Sequence, residues 1–269
     1  MRWKNKKGVD GTVRRRQMKK RNKIIATVAA LAAIMCAAVG IWQYMEIKNA
    51  GEQYEEIKES VKKDREEVQE NEKQAPDIPI NFETLIQENP DVYAWITIPG
   101  TAVDYPILQN TEDNDYYLTH TIDGVESPEG AIYTENYNDK NFEDTNTVIY
   151  GHDMKNGSMF QSLHNYMDRT FFDEYREIIV YTPDAVRHYK IFAAYLYDDR
   201  HLLQSFDFSN ERVYRAYLDN IFSIRDMNAC IDTSVEIDTE DKIITLSTCY
   251  GNQPDKRYLV QAVLETIEK

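Results

Sequence analysis

The chain has 269 residues, 42% of them hydrophobic, and a formal net charge of −15. That apolar fraction can bury a substantial core, which excludes a disordered polyelectrolyte, and the length allows one or two domains. The charge is uneven: residues 1–23 carry eleven Lys or Arg against Asp10 alone, and the remaining 246 residues are net −25.

A basic stretch of this kind could bind nucleic acid, but it abuts 24–42, an uncharged run rich in Ala, Ile, Val and Leu. The juxtaposition reads as membrane topology, and no nucleic-acid partner is expected. No charge falls between Lys23 and Glu46, and about 20 helical residues cross a hydrocarbon core of about 30 Å. The expected order is therefore a basic cytoplasmic tail at 1–23 and a transmembrane helix at 24–45. The positive-inside rule puts the N-terminus in the cytoplasm and everything after Trp42 outside, as a single-pass protein of the cell membrane. A cleaved signal peptide is the alternative. A lipoprotein signal fits less well, because Ile34 and Met35 stand before Cys36 where small residues are needed. Cys36 is read as an apolar residue of the span.

Residues 46–79 read as a charged helical stalk or linker. Ile47, Tyr54, Val61 and Val68 recur at seven, with Ala50 and Ile57 between them, but Asp64 interrupts the stripe, so a committed coiled coil is not expected. Pro76 and Pro79 end it. From residue 80 onward short apolar runs alternate with Gly, Pro, Asn and Asp. A helix is expected at 82–89, then strands at 92–98, 131–134, 147–150, 177–182, 186–196, 242–247 and 258–265. Many short strands with polar turns predict a mainly β domain over 80–269, a sandwich or closed barrel. Behind Ser209 as N-cap, Val213, Tyr214, Tyr217, Leu218 and Ile221 fall at helical spacing, so a helix at 210–223 is expected between late strands. No Gly-rich phosphate loop and no metal-ligand spacing among the five histidines is present, so no cofactor and no metal are expected.

The run TLSTCYGNQPDKR, 245–257, ends a β-prone stretch in a cysteine with an arginine eight residues on. A thiol nucleophile needs a partner that keeps it ionised or carries its proton, because reference pKa values of about 8.5 for Cys and about 6.5 for His leave both largely neutral near pH 7. Histidine is the usual partner. His152 is the leading candidate of the five because it follows the strand VIY through Gly151, at a strand end where barrel rims present side chains. Arg257 offers a permanent charge and a fork of donors. The competing reading is structural: an exported domain with Cys230 and Cys249 could hold one disulfide, which would quench the nucleophile and leave a non-catalytic binding domain.

TLSTC with Arg257, together with IYGHDMKNGSMF at 149–160, resembles the sortases, membrane-anchored cysteine transpeptidases of Gram-positive bacteria. The likeness runs from NFETLIQENPDVYAWITIPGTAVDYPILQ (81–109) through DNDYYL (113–118) and HYKIFAAY (188–195) to RYLVQAVL (257–264). The DVYAWI segment, the GHDM form of the histidine motif and the helix near 210–223 are similar to class B rather than class A.

The resemblance implies a sortase-type closed β-barrel with N-terminal helices and an inserted helix. It implies Cys249 as nucleophile, His152 as acid and base, and Arg257 as the cation near the scissile carbonyl. It points to Asn114, Leu118, Tyr214, Tyr217, Ser247 and Thr248 as substrate contacts. His120, just past DNDYYL, is the rival base. Asp153 is read as a solvated loop carboxylate, with orientation of His152 as its alternative role. The implied partners are secreted proteins bearing an LPXTG-like or NPQTN-like sorting signal and an amine of a lipid-linked peptidoglycan precursor. A pilin-polymerising or mainly hydrolytic enzyme is the alternative.

Overall fold

The computed structural model describes residues 8–63, 76–251 and 253–269. The chain divides into two compact units between Asn49 and Ala50. Most of the first unit is helix, the start of α1 (Gly8–Lys63). Residues 1–7 of the expected basic tail lie outside the described residues, as do the side chains of 8–26. Among the described residues no helix is long and apolar enough to cross a membrane, so the transmembrane helix expected at 24–45 is not carried by the structure. Part of that expected span, the side chains of 24–26 and 43, lies outside the described residues.

The end of α1 belongs to the second unit and corrects the expectation of a stalk. Tyr54 and Val61 are 3% and 2% exposed. The Tyr54 hydroxyl donates to the Gly130 carbonyl at 3.0 Å, its ring meets Tyr105 edge-on at 5.5 Å, and the Lys58 ammonium lies 4.4 Å above the Tyr105 ring. Tyr54 and Val61, with Ile57 half-buried between them, do share one face, and the surface that buries it is the β domain; the side chains of Ile47 and Ala50 lie outside the described residues. Val68, the next member, lies outside the described residues.

Helix α2 (Phe82–Glu88) starts where Asn81 Oδ1 accepts from the Thr84 amide at 3.1 Å, buries Phe82 and Leu85, and stops before Pro90, as expected. Nine strands follow among the described residues: β1 (Val92–Thr97), β2 (Asp104–Leu108), β3 (Ile132–Thr134), β4 (Asn146–Tyr150), β5 (Glu177–Thr182), β6 (Ala185–Asp198), β7 (Cys230–Ile231), β8 (Ile243–Tyr250) and β9 (Gln253–Glu268). Their order is β5-β1-β2-β3-β4-β8-β9-β6-β7, and β5 also pairs with β6. That last pairing closes eight strands into a barrel and leaves β7 on the outer edge of β6, so the expected closed barrel is what forms. Two strands go beyond the expectation. Proline at 106 demotes a run from strand candidacy, yet Pro106 pairs opposite Trp95 in β2, and β7 is only two residues long.

The side-chain period of two splits the barrel wall between two cores. Ile191, Ile244 and Val260 point into the barrel, where they pack with Trp95 and Tyr189. Their neighbours Phe192, Ile243 and Leu259 point outward and pack under α6 (Glu211–Phe222). That helix carries Tyr214, Tyr217, Leu218 and Ile221 on its buried face. Its N-cap is Asn210, whose side chain accepts from the Arg212 and Val213 amides, rather than Ser209. The Ser209 hydroxyl instead donates to Asp207.

Candidate active site

Two ladders decide which side chains meet. Strands β4 and β8 run parallel with Tyr150 opposite Ser247, and the Gly151 amide donates to the Ser247 carbonyl at 3.2 Å. Two residues beyond that pair stand His152 on one strand end and Cys249 on the other. Strands β8 and β9 run antiparallel with Cys249 directly opposite Arg257. Neighbouring strands lie about 4.8 Å apart, so residues separated by about a hundred positions in sequence arrive at one barrel mouth. The glycine before His152 is required there: a Cβ on Gly151 would lie 2.5 Å from Ile132 Cδ1 and 2.7 Å from the Phe160 ring.

The mouth holds a cleft of about 220 Å³ lined by His152, Cys249 and Arg257, with Leu118, Ser247 and Thr248 among its walls. Cys249 is a free, half-buried thiol, and Cys230 is a buried free thiol, so the disulfide alternative is excluded. His152 Nε2 lies 2.7 Å from the Leu118 carbonyl oxygen. A carbonyl only accepts, so Nε2 carries the proton and, in the neutral ring, Nδ1 is the nitrogen left to exchange one. Arg257 Nη1 donates to the Pro254 and Lys256 carbonyls at 2.9 and 3.0 Å, which anchors one arm of the fork in its own turn.

The remaining expectations divide. Leu118, Ser247 and Thr248 line the cleft. Asn114 does not: its side chain accepts from the Asn136 amide at 2.7 Å and braces a loop. Tyr214 and Tyr217 are 0% and 4% exposed. Tyr214 donates to the Asp241 carbonyl and Tyr217 accepts from Gln261, so both are core residues, as aromatic side chains at helical spacing commonly are. His120 lies outside the cleft, with Nδ1 on the Tyr116 carbonyl at 2.8 Å and its ring stacked on Tyr116 at 4.1 Å. Asp153 neither orients His152 nor stands free in solvent. Its Oδ2 accepts from the Gly251 amide at 3.2 Å.

Sequence reading missed the wall made by Tyr133, Tyr150, Tyr197, Arg200 and His201. His201 Nε2 donates to Glu135 Oε2 at 2.6 Å, and the Tyr150 hydroxyl donates to the same oxygen at 3.1 Å. Tyr150 was the legible member, since it ends the strand that delivers His152. His201 and Glu135 come from different loops and carried no local signal.

The loop after His152 is held from beneath by Glu129, which is fully buried. Its Oε1 accepts from Asn156 Nδ2 at 2.8 Å and from Ser158 Oγ at 3.2 Å. Oε2 has no partner among the described residues. The Phe160 amide donates to the His152 carbonyl at 2.9 Å, while Met159 sits in the left-handed region at φ 55° and donates its amide to the Tyr105 hydroxyl. Burial pushes the Glu129 carboxyl up against the opposing pull of those hydrogen bonds and of nearby His152. A carboxyl raised on folding adds stability that is complete below the ordinary Glu range of about 4.3 and is lost as pH rises through the folded value. Glu129→Gln cannot lose a proton. The melting temperature of this variant minus that of the wild type should therefore be more favourable to the variant at pH 7 than at pH 4. A difference independent of pH would contradict this account.

A closed barrel carrying a thiol, an imidazole and a guanidinium at one mouth defines a recognisable class, and the sequence comparisons agree. The Sortase domain family matches residues 96–265, and the chain belongs to that family. Listeria monocytogenes sortase B is 35% identical over 161 residues, 60% of this chain and 63% of that relative's length. The crystal structure of sortase B from B. anthracis in complex with AAEK1 superposes with a TM-score of 0.69 at 27% identity, covering 84% of this chain and all of that one. The Staphylococcus aureus sortase B-substrate complex gives a TM-score of 0.69 at 26% identity, covering 82% and 99%. Within the family, these neighbours make the chain a class B sortase.

Proposed function

We propose that this chain is a cysteine transpeptidase that cleaves a C-terminal sorting signal of secreted proteins after threonine and transfers them to an amine of the cell-wall precursor. The observation that carries this reading is the convergence of Cys249, His152 and Arg257 on one cleft through two strand registers. The Cys249 thiolate attacks the threonine carbonyl carbon, forming a C–S bond and a tetrahedral oxyanion. The free arm of the Arg257 guanidinium donates to that oxygen, which suits arginine better than lysine because of its fixed fork. As the C–N bond breaks, protonated His152 gives its Nδ1 proton to the leaving amine, and a thioacyl enzyme remains. The acceptor amine then attacks the same carbon, His152 takes its proton, and the thiolate leaves. Leu118 supports this role through its carbonyl, which orients the imidazole.

The substrate is proposed to be an LPXTG-like or NPQTN-like peptide, a reading supported by the S. aureus sortase B-substrate complex among the structural neighbours. The enzyme is further proposed to sit in the cell membrane with its barrel outside. The uncharged run 24–42 behind eleven basic residues supports that placement, which would confine enzyme and lipid-linked acceptor to one surface.

Mass spectrometry of the full chain with a small library of sorting peptides tests the reaction. The expected result is a thioacyl adduct on Cys249 that an added peptidoglycan-type amine resolves into a ligated product. Exclusive use of a lysine side chain as acceptor would instead make the enzyme a pilin polymerase, and release of free acid unaffected by amine would make it a hydrolase. Absence of any adduct on Cys249 would sink the proposal.

A further inference from the structure

We infer that His164, paired with Asp153, is a positioning residue that sets the orientation of the peptide joining Cys249 to Tyr250. The β8–β9 ladder breaks at that peptide. Cys249 pairs with Arg257, but the next residue, Tyr250, pairs with Gln253, so the register jumps between them. A peptide at such a break is not fixed by the ladder alone. Side chains supply the missing partner. His164, on the 3₁₀ helix Gln161–Met167, places Nε2 at 3.1 Å from the Cys249 carbonyl oxygen. Its Nδ1 lies 3.6 Å from Asp153 Oδ1, while Asp153 Oδ2 accepts the Gly251 amide. The ring is held edge-on by Tyr250 at 5.8 Å and Tyr258 at 5.3 Å.

The network joins three pieces: the residue next to His152, the carbonyl of Cys249, and the turn residue Gly251. Because a carbonyl can only accept, His164 Nε2 carries a proton whether the ring is neutral or charged, and the contact survives either state. Gly251, at φ 53°, is in the region that favours glycine, so the Asp153 contact fixes a backbone that the sequence leaves adaptable. The pairing of Tyr250 with Gln253 commits the Tyr250 amide to the ladder, so the His164 contact acts on the carbonyl side of this planar peptide and fixes the backbone that carries the Cys249 sulfur beside Arg257. His164 thus acts through the backbone of the nucleophile and does not touch substrate.

The kinetic consequence rests on the transpeptidase reading, so the test includes a measurement that needs no substrate. In the full chain, His164→Ala should lower kcat on the order of 10²-fold, the cost of misplacing reacting groups by about 1 Å, with KM within about twofold. His164→Gln, whose amide can donate to the Cys249 carbonyl, should recover at least about tenfold of that loss. Alkylation of Cys249 by iodoacetamide should slow in His164→Ala and recover in His164→Gln. Ring ¹⁵N spectroscopy of the wild type should show His164 Nε2 protonated across the neutral range. A deprotonated Nε2, an alkylation rate unchanged in His164→Ala, or a Gln variant as impaired as Ala would each overturn the inference. Should His164→Ala fail to fold, the Gln variant and the ring spectrum decide. A wild type that alkylates normally but forms no adduct with any peptide would refute the transpeptidase reading and leave the alkylation and ring measurements to judge the positioning role.

Discussion

Cys249→Ala is expected to abolish transpeptidation, with turnover falling by on the order of 10⁶-fold, the scale seen when a covalent nucleophile is removed from a catalytic unit. The other two cysteines offer no substitute. Cys230 is buried on β7, with its thiol directed to the Met167 carbonyl at 3.8 Å, and burial pushes its pKa up, against the pull of Arg169. Cys36 belongs to the other compact unit. Removing a half-exposed Sγ from a strand end deletes little packing, so the variant should melt within a few degrees of the wild type. The informative pair is turnover and thioacyl mass in the same preparation. Adduct formation by Cys249→Ala at a rate above about one per cent of wild type would move the nucleophile elsewhere, since the loss of a true nucleophile leaves far less activity than that. Cys230→Ala, which touches no part of the cleft, should retain turnover.

How much of this site was legible in sequence follows from where each residue's signal came from. Cys249 and His152 end apolar runs, and a strand end is a local pattern that periodicity exposes. The helix at α6 was readable because its apolar residues recur at 3.6, although Asn210 rather than Ser209 caps it. The family resemblance points to Tyr214 and Tyr217 as groove residues, but that same period places them on the face that the barrel's outer core covers. Strand β2 was hidden by Pro106, whose missing N–H argues against a strand in isolation while the partner Trp95 in β1 accommodates it. His201, Glu135 and His164 gave no signal at all, because their significance is a contact: 66 residues separate His201 from Glu135, and 85 separate His164 from Cys249. Register decided those meetings, and register is a property of the closed sheet rather than of any window of sequence.

His152→Ala should reduce turnover by on the order of 10³-fold or more, within the range set by loss of a general acid and base acting with a nucleophile. The other four histidines are each committed. His120 is tied to the Tyr116 carbonyl and stacked on its ring, outside the cleft. His188 bridges Glu177 and Glu268 on the barrel wall. His164 is spent on the Cys249 carbonyl. His201 does line the cleft, but its Nε2 is held by Glu135 and its Nδ1 accepts the Gln204 amide at 3.2 Å, so neither nitrogen is open to a substrate proton. Among the described residues, His152 is the histidine with one nitrogen oriented by a carbonyl and the other unengaged at the cleft. Exogenous imidazole should restore part of the lost rate in His152→Ala, because the missing element is a proton carrier and the cavity left behind opens to the cleft. His120→Ala should stay within a few-fold of wild type. If His120→Ala abolishes turnover while His152→Ala retains it, the base has been misassigned. In that case the Leu118 carbonyl contact would be only a brace for the loop that Glu129 holds from below.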